Sequence, residues 1–213
     1  MKRATYVVAG RAVPPGTGKA DRERARSRFG IAPAEQCVLI FGGSLGARSI
    51  NLAAVEAFAT APYHVLHIPG ARDFVALRAP GPHYVLREYV EPFGTALAAA
   101  DLAVARAGGS VFELAQYGLP AVLIPYPYAS ADHQTANARW MAEAGAATIL
   151  RDDELTPQRL RAEVDGLLAD PDRLRAMAEA SRSLARPDAA QVVAREVLAA
   201  AREHRERQPR KGA

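Results

Sequence analysis

Cysteine is nearly missing: Cys37 is the only one in 213 residues. A disulfide framework inside the chain is thereby excluded, and a reducing, cytoplasmic setting is expected. Lysine is almost as scarce, with Lys2, Lys19 and Lys211 the only three, so arginine carries nearly all the positive charge. Long apolar runs are missing too; nothing approaches the roughly 20 residues that span a bilayer. The opening "MKRATYVVAG" has a basic pair, but the apolar stretch behind it is too short for a signal peptide. Histidine and cysteine never cluster at zinc-ligand spacing. His64 and His67, three apart on an expected strand, face opposite ways and make a poor metal pair. No metal and no other cofactor is expected.

What remains is globular in composition, 49% hydrophobic and 23% charged, with a formal net charge of +4. That is enough chain for one large domain with a substantial core. The basic residues crowd into "DRERARSR" (21–28) and the tail "REHRERQPRK" (202–211). Both mix signs, which reads as solvated helix faces and not as nucleic-acid binding. A basic fringe can also settle on an anionic membrane surface.

Short β-like runs alternate with helical stretches over the first 150 residues. Strands are expected at 5–9, 37–41, 64–68, 83–87, 102–106, 121–125 and 147–150, rich in Val, Ile and Leu. Several lack polar alternation, as strands covered on both faces do. Helices are expected near 19–29, 46–59, 70–77, 93–100, 110–117 and 132–144. Such alternation predicts an α/β fold, a Rossmann-like doubly wound parallel sheet of about six strands. Ligands of such sheets sit at the carboxyl ends of the strands. The stretch 156–204 carries no strand signal and reads as two or three helices, broken at "DPD" (170–172) and "RPD" (186–188). The whole of 1–213 is expected to form a single domain with a basic tail over 205–213.

Three polar turns follow strand ends. In "FGGSLGARSIN" (41–51) glycines let the backbone turn tightly and let another group approach it. The helix behind them aims free N–H groups at the gap, so Gly43, Ser44, Leu45 and Gly46 could hold a diphosphate. A plain turn capped by Ser44 explains the same residues equally well. In "ARAGGSVFELAQYGLP" (105–120), Ser110 and Glu113 have capping-box spacing. The competing reading gives the Glu113 carboxylate both hydroxyls of a ribose, in charged hydrogen bonds of about 1.5–3 kcal/mol each. In "PYPYASADHQTANARW" (125–140), Asp132 looks like an N-cap, and His133, Gln134 and Thr135 fill the first turn. A Gln amide donates and accepts at once, which suits sugar hydroxyls. The nucleophile elbow and the P-loop do not fit "GGSLG".

These motifs, in this order, resemble the C-terminal domain of the MurG family, glycosyltransferases of the GT-B class. The similarity is carried by "YVVAGRAVPP", "DRERARSRFGI", "LIFGGSLGARSIN", "ARAGGSVFELAQYGLPAVLIPYP" and "DHQTANARWMAEAGAA", and covers most of the chain. It implies a UDP-GlcNAc donor domain that serves GlcNAc transfer to lipid I in peptidoglycan synthesis. Gly43 and Ser44 would lie against the donor diphosphate. Val90 would bind uracil through its backbone, with Phe93 near the base. Glu113 would take the ribose hydroxyls, and Gln134, with His133 or Thr135, would read the sugar. Gly109 and Ser110 would border the same ligand. The pattern departs from the family at Pro14, where an arginine is common, and in a segment from Arg106 to Glu113 that is one residue shorter. The acceptor domain, with the family's proposed base and membrane-contacting patch, does not precede Met1, which implies half an enzyme. No catalytic residue is identified in this chain. The resemblance further implies a lipid-linked acceptor met through a missing or separate N-terminal domain, at the inner face of the cell membrane. Two alternatives stay open: a nucleotide-sugar-binding module without catalysis, and the donor subunit of a split transferase acting on another lipid.

Overall fold

Strands form where apolar residues run without interruption. The computed structural model describes residues 7, 9–14, 16–43 and 47–207. β1 (Cys37–Phe41) and β2 (His64–Ile68) are buried at every residue. β3 (Tyr84–Leu86), β4 (Leu102–Ala105), β5 (Ala121–Leu123) and β6 (Ala147–Ile149) complete a parallel sheet of order β3-β2-β1-β4-β5-β6. The first expected strand, at 5–9, falls largely outside the described residues.

Burial on both faces explains the missing polar alternation. Along β1, Cys37, Leu39 and Phe41 enter one core, while Val38 and Ile40 enter the other. The first core also takes Ala25 of α1 (Arg22–Arg28), Leu97 of α4 (Gly94–Ala99), Leu114 of α5 (Val111–Tyr117) and Met141 of α6 (His133–Glu143). The second takes Ile50 and Ala54 of α2 (Arg48–Ala57) and Leu160 and Val164 of α7 (Pro157–Leu168). Each Leu or Ile fully buried this way contributes roughly 1.5–3 kcal/mol. A short α3 (Ala71–Phe74) follows β2.

The "DPD" break becomes a helix start. Asp170 caps α8 (Pro171–Ser183) by accepting from Arg173 N–H, and Pro171 occupies the first turn, where its missing donor costs nothing. Thr156 caps α7 in the same way.

The "DRERARSR" run is not simply a solvated face. Arg26 is buried and donates to Ala99 O at 3.0 Å, to Ala32 O at 2.9 Å and to Asp101 at 3.3 Å. It is the tether of α1, with all its charge matched by acceptors. Residues 208–213 of the basic tail lie outside the described residues.

The chain divides into two compact units. Gly16–Ala185 holds the whole sheet. The other joins the described parts of Met1–Pro15 and Arg186–Ala213 and contains α9 (Ala189–Arg207). On α9, Val192 is half-buried, while Val193, Val197 and Leu198 are exposed, an apolar stripe at roughly helical spacing.

β1 pairs with β2 on one side and with β4 on the other. The strand order therefore reverses between β1 and β4, and a crevice opens at their carboxyl ends.

Candidate functional site

The crevice is walled by the loops that leave β1, β4 and β5. At the end of β1, Gly43 has φ +85°, and a side chain there would meet nothing within 4 Å. Glycine is thus required by the backbone, and the space beside it is open to a ligand. Ser44, Leu45 and Gly46 lie outside the described residues. The chain resumes at Ala47, which has no capping side-chain bond, and α2 begins at Arg48.

After β4 the capping box is not formed from the Ser110 side. Ser110 has φ −65° and ψ −14°, already helical, and its hydroxyl makes no cap bond. The reason is the wound approach: Val111 N–H bonds to Gly108 O and Phe112 N–H to Gly109 O. An N-cap side chain needs extended backbone to reach back to its helix. Glu113 N–H bonds to the backbone oxygen of Ser110 instead, at 3.0 Å. Glu113 still sits in the first turn of α5, on the crevice side of β4.

After β5, the loop closes on itself. Gln134 Oε1 accepts from Tyr126 N–H at 3.0 Å, and Thr135 donates to Asp132 Oδ1 at 2.5 Å. His133 Nδ1–H donates to Ser130 O at 2.8 Å, which fixes its tautomer. Asp132 is not an ordinary N-cap: its φ is +51°, its side chain caps no N–H, and Ala131 beside it has φ +50°. Two successive non-glycine residues in that region cost of order 1–3 kcal/mol each and persist only where surroundings impose them. Asn137, one turn further along α6, donates to Ala107 O at 2.9 Å and ties this loop to the β4 loop.

Val90 and Phe93 belong to the segment after β3, the edge strand. Phe93 nevertheless comes to the carboxyl end of β1. Val90 is buried, and the Phe93 ring packs edge-on against Phe41, the last residue of β1, with centroids 5.1 Å apart.

Two polar clusters under the site were not evident from the sequence. Arg106, the residue after β4, is 8% exposed and donates to Asp152, Ser49 and the carbonyls of Ile124 and Pro125. The second cluster steadies α2. Tyr84 O–H donates to His67 Nδ1 at 2.7 Å, and His67 Nε2–H donates to Asn51 Oδ1 at 3.0 Å. Asn51 Nδ2 in turn donates to Asp73 Oδ2 at 2.8 Å. Burial pushes His67 down to about 3, against a smaller opposing pull from Asp73, so the ring is neutral. Asp73 is held below the usual carboxylate range, first by the Arg72 hydrogen bond and also by Asn51. The only sequence signal for either cluster was a polar residue inside a buried run, His67 in "HVLHI". Among the described residues no group of three His, Cys, Asp or Glu could hold a metal ion.

Residues 37–193 match the glycosyltransferase family 28 C-terminal domain. The chain belongs to that family. A relative from Rubrobacter xylanophilus is 46% identical over 186 residues, 86% of this chain and 55% of its own length. Another, from Moorella thermoacetica, is 39% identical over 212 residues, 92% of this chain and 57% of its own. Both are named UDP-N-acetylglucosamine–N-acetylmuramyl-(pentapeptide) pyrophosphoryl-undecaprenol N-acetylglucosamine transferase. The crystal structure of MurG from Acinetobacter baumannii superposes with a TM-score of 0.69 at 31% identity, over 90% of this chain and 56% of that one. This family 28 C-terminal domain thus spans about half the length of the curated relatives it matches. Its sheet is the Rossmann-like half of a GT-B glycosyltransferase fold.

Proposed function

We propose that this chain is the UDP-GlcNAc-binding half of a MurG-type hexosyltransferase that makes lipid II from lipid I. The observation that carries the reading is spatial. The Gly43 turn, the first turn of α5 with Glu113 and the first turn of α6 with Gln134 all leave carboxyl ends of β1, β4 and β5, around one strand-order reversal. The names of the relatives supply donor and acceptor.

In this reading the diphosphate lies at the Gly43–Gly46 turn, against the amino end of α2. Uracil meets the backbone of Val90 beside Phe93, with Gly109 and Ser110 bordering the nucleotide. Glu113 accepts the ribose hydroxyls. Gln134 releases Tyr126 N–H and turns to the GlcNAc hydroxyls, flanked by His133 and Thr135. The acceptor hydroxyl oxygen attacks the anomeric carbon, and the bond from that carbon to the UDP oxygen breaks. UDP leaves with the electron pair, its charge met by the α2 terminus. The acceptor's proton goes to a base supplied by the acceptor-binding half. The second half also supplies the membrane contact.

Calorimetric titration with UDP-GlcNAc, on the parent and on Glu113→Gln, tests the donor assignment. The variant keeps shape but loses the charged acceptor, worth about 1.5–3 kcal/mol, so binding is expected to weaken at least about tenfold. Equal binding by the two proteins would remove Glu113 from the site. A folded parent that binds no UDP-GlcNAc would count against the donor reading itself.

A further inference from the structure

We infer that Arg106 is a positioning residue that locks the loops of the candidate site into one geometry and is not itself a phosphate ligand. The inference rests on the donor-site reading above.

The geometry is a closed ring. Arg106 Nη1 donates to Asp152 Oδ1 at 2.6 Å, and Nη2 donates to Ser49 Oγ at 2.8 Å. The Ser49 hydroxyl donates to the same Asp152 Oδ1 at 2.9 Å. Nη1 also reaches Ile124 O at 3.2 Å and Pro125 O at 3.3 Å, and the guanidinium carbon stands 5.3 Å from the centre of the Tyr126 ring. The partners come from three segments. Ser49 is in the first turn of α2, the helix that follows the glycine turn. Ile124, Pro125 and Tyr126 lead into the loop that Gln134 closes. Asp152 lies between β6 and α7. One guanidinium therefore ties its own segment to three others at the carboxyl edge of the sheet.

Three of its five N–H donors, both of Nη1 and one of Nη2, are engaged by the protein. The two hydrogens of Nη1 already serve three acceptors. The charge is matched by Asp152 at contact distance. A flat, five-donor fork suits this task in a way the single point of a lysine ammonium does not.

The two roles give opposite signs in one experiment. Were Arg106 a phosphate ligand, Asp152→Asn would free its charge and tighten binding of an anion. If it positions the loops, Asp152→Asn and Ser49→Ala both loosen the α2 turn and weaken binding. Ser49→Ala keeps the Arg106–Asp152 charge pair intact, whereas Asp152→Asn keeps the shape of the side chain but removes its charge, so the two together separate loss of a hydrogen bond from loss of the ion pair. Two readouts on this chain are needed: amide hydrogen exchange in the free protein, and calorimetric titration with UDP. Either variant is expected to speed exchange in residues 47–52, 106–110, 124–130 and 151–154 together, leaving β1 protected. UDP is expected to bind about tenfold more weakly to each, and Arg106→Lys to behave as they do. Faster exchange confined to the substituted segment would overturn the inference, as would unchanged or tighter UDP binding by Asp152→Asn. If the parent binds no UDP, the donor reading fails, and the exchange pattern alone decides whether the ring couples the loops.

Discussion

His67 shows how one side chain can set the acid limit of the fold. Buried between Tyr84 and Asn51, it stays neutral in the folded protein down to about 3, against an ordinary value of 6.5. The unfolded chain takes up that proton first. The stability His67 confers is fully present above 6.5 and is lost as pH falls from there towards 3. This group alone lowers unfolding free energy by about 1.4 kcal/mol per pH unit in that window. Urea unfolding between pH 6.5 and 5 should show this slope in the parent and a slope flatter by that amount in His67→Gln. Equal slopes would mean that the ring titrates normally in the folded state. Arg106 belongs to the same scale and shows the limit of reading residues in order. Its partners Ser49 and Asp152 are 57 and 46 positions away, so no local pattern announces them. Glu113 and Gln134 could be singled out because first-turn positions are visible in the sequence; what Gln134 does in the free chain, closing on Tyr126, was not.

Elements were more legible than residues. β1 and β2 coincide with the expected runs 37–41 and 64–68, because sheet-centre strands buried on both faces leave continuous apolar text. β5 stops at Leu123, two residues short of the expected 125, because the carbonyls of Ile124 and Pro125 turn to Arg106. The capping box failed for a local reason: the turn before α5 is already wound, so spacing alone misplaced the Ser110 hydroxyl. Where the flanking residue is extended, the cap forms. Thr156 has φ −122° and ψ 157°, and its hydroxyl accepts from Arg159 N–H at 3.1 Å. Thr156→Ala should cost about 1 kcal/mol in chemical unfolding; no change would mean that Pro157 alone sets the start of α7. Gly118 ends α5 at φ +59°, with a side chain there coming 2.9 Å from Arg182 Nη2. Gly118→Ala should therefore destabilise by about 1 kcal/mol or more from backbone strain alone, and a neutral result would show that the turn relaxes.

At the scale of the molecule, the chain offers a crevice at the strand-order reversal and an apolar stripe on α9, and spans about half of its curated relatives. The exposure of Val197 and Leu198 has a simple consequence for stability. Replacing both by serine should move the unfolding free energy by no more than about 0.5 kcal/mol, as for other surface positions. A loss of several kcal/mol would show that the stripe is packed in the native chain. The location of the ligand is the central claim, and the molecule offers a rival place for it. A cavity of about 460 Å³ lies at the amino-terminal edge of the sheet, lined by Gly18, Arg22, Asp101, Tyr117 and Arg182 among others. The deciding measurement is an amide shift titration of the isotope-labelled chain with UDP-GlcNAc. The expected result is saturable shifts at Gly43, Val90, Glu113 and Gln134 together. Shifts centred on Gly18, Asp101 and Tyr117, with the carboxyl edge unmoved, would contradict the donor assignment.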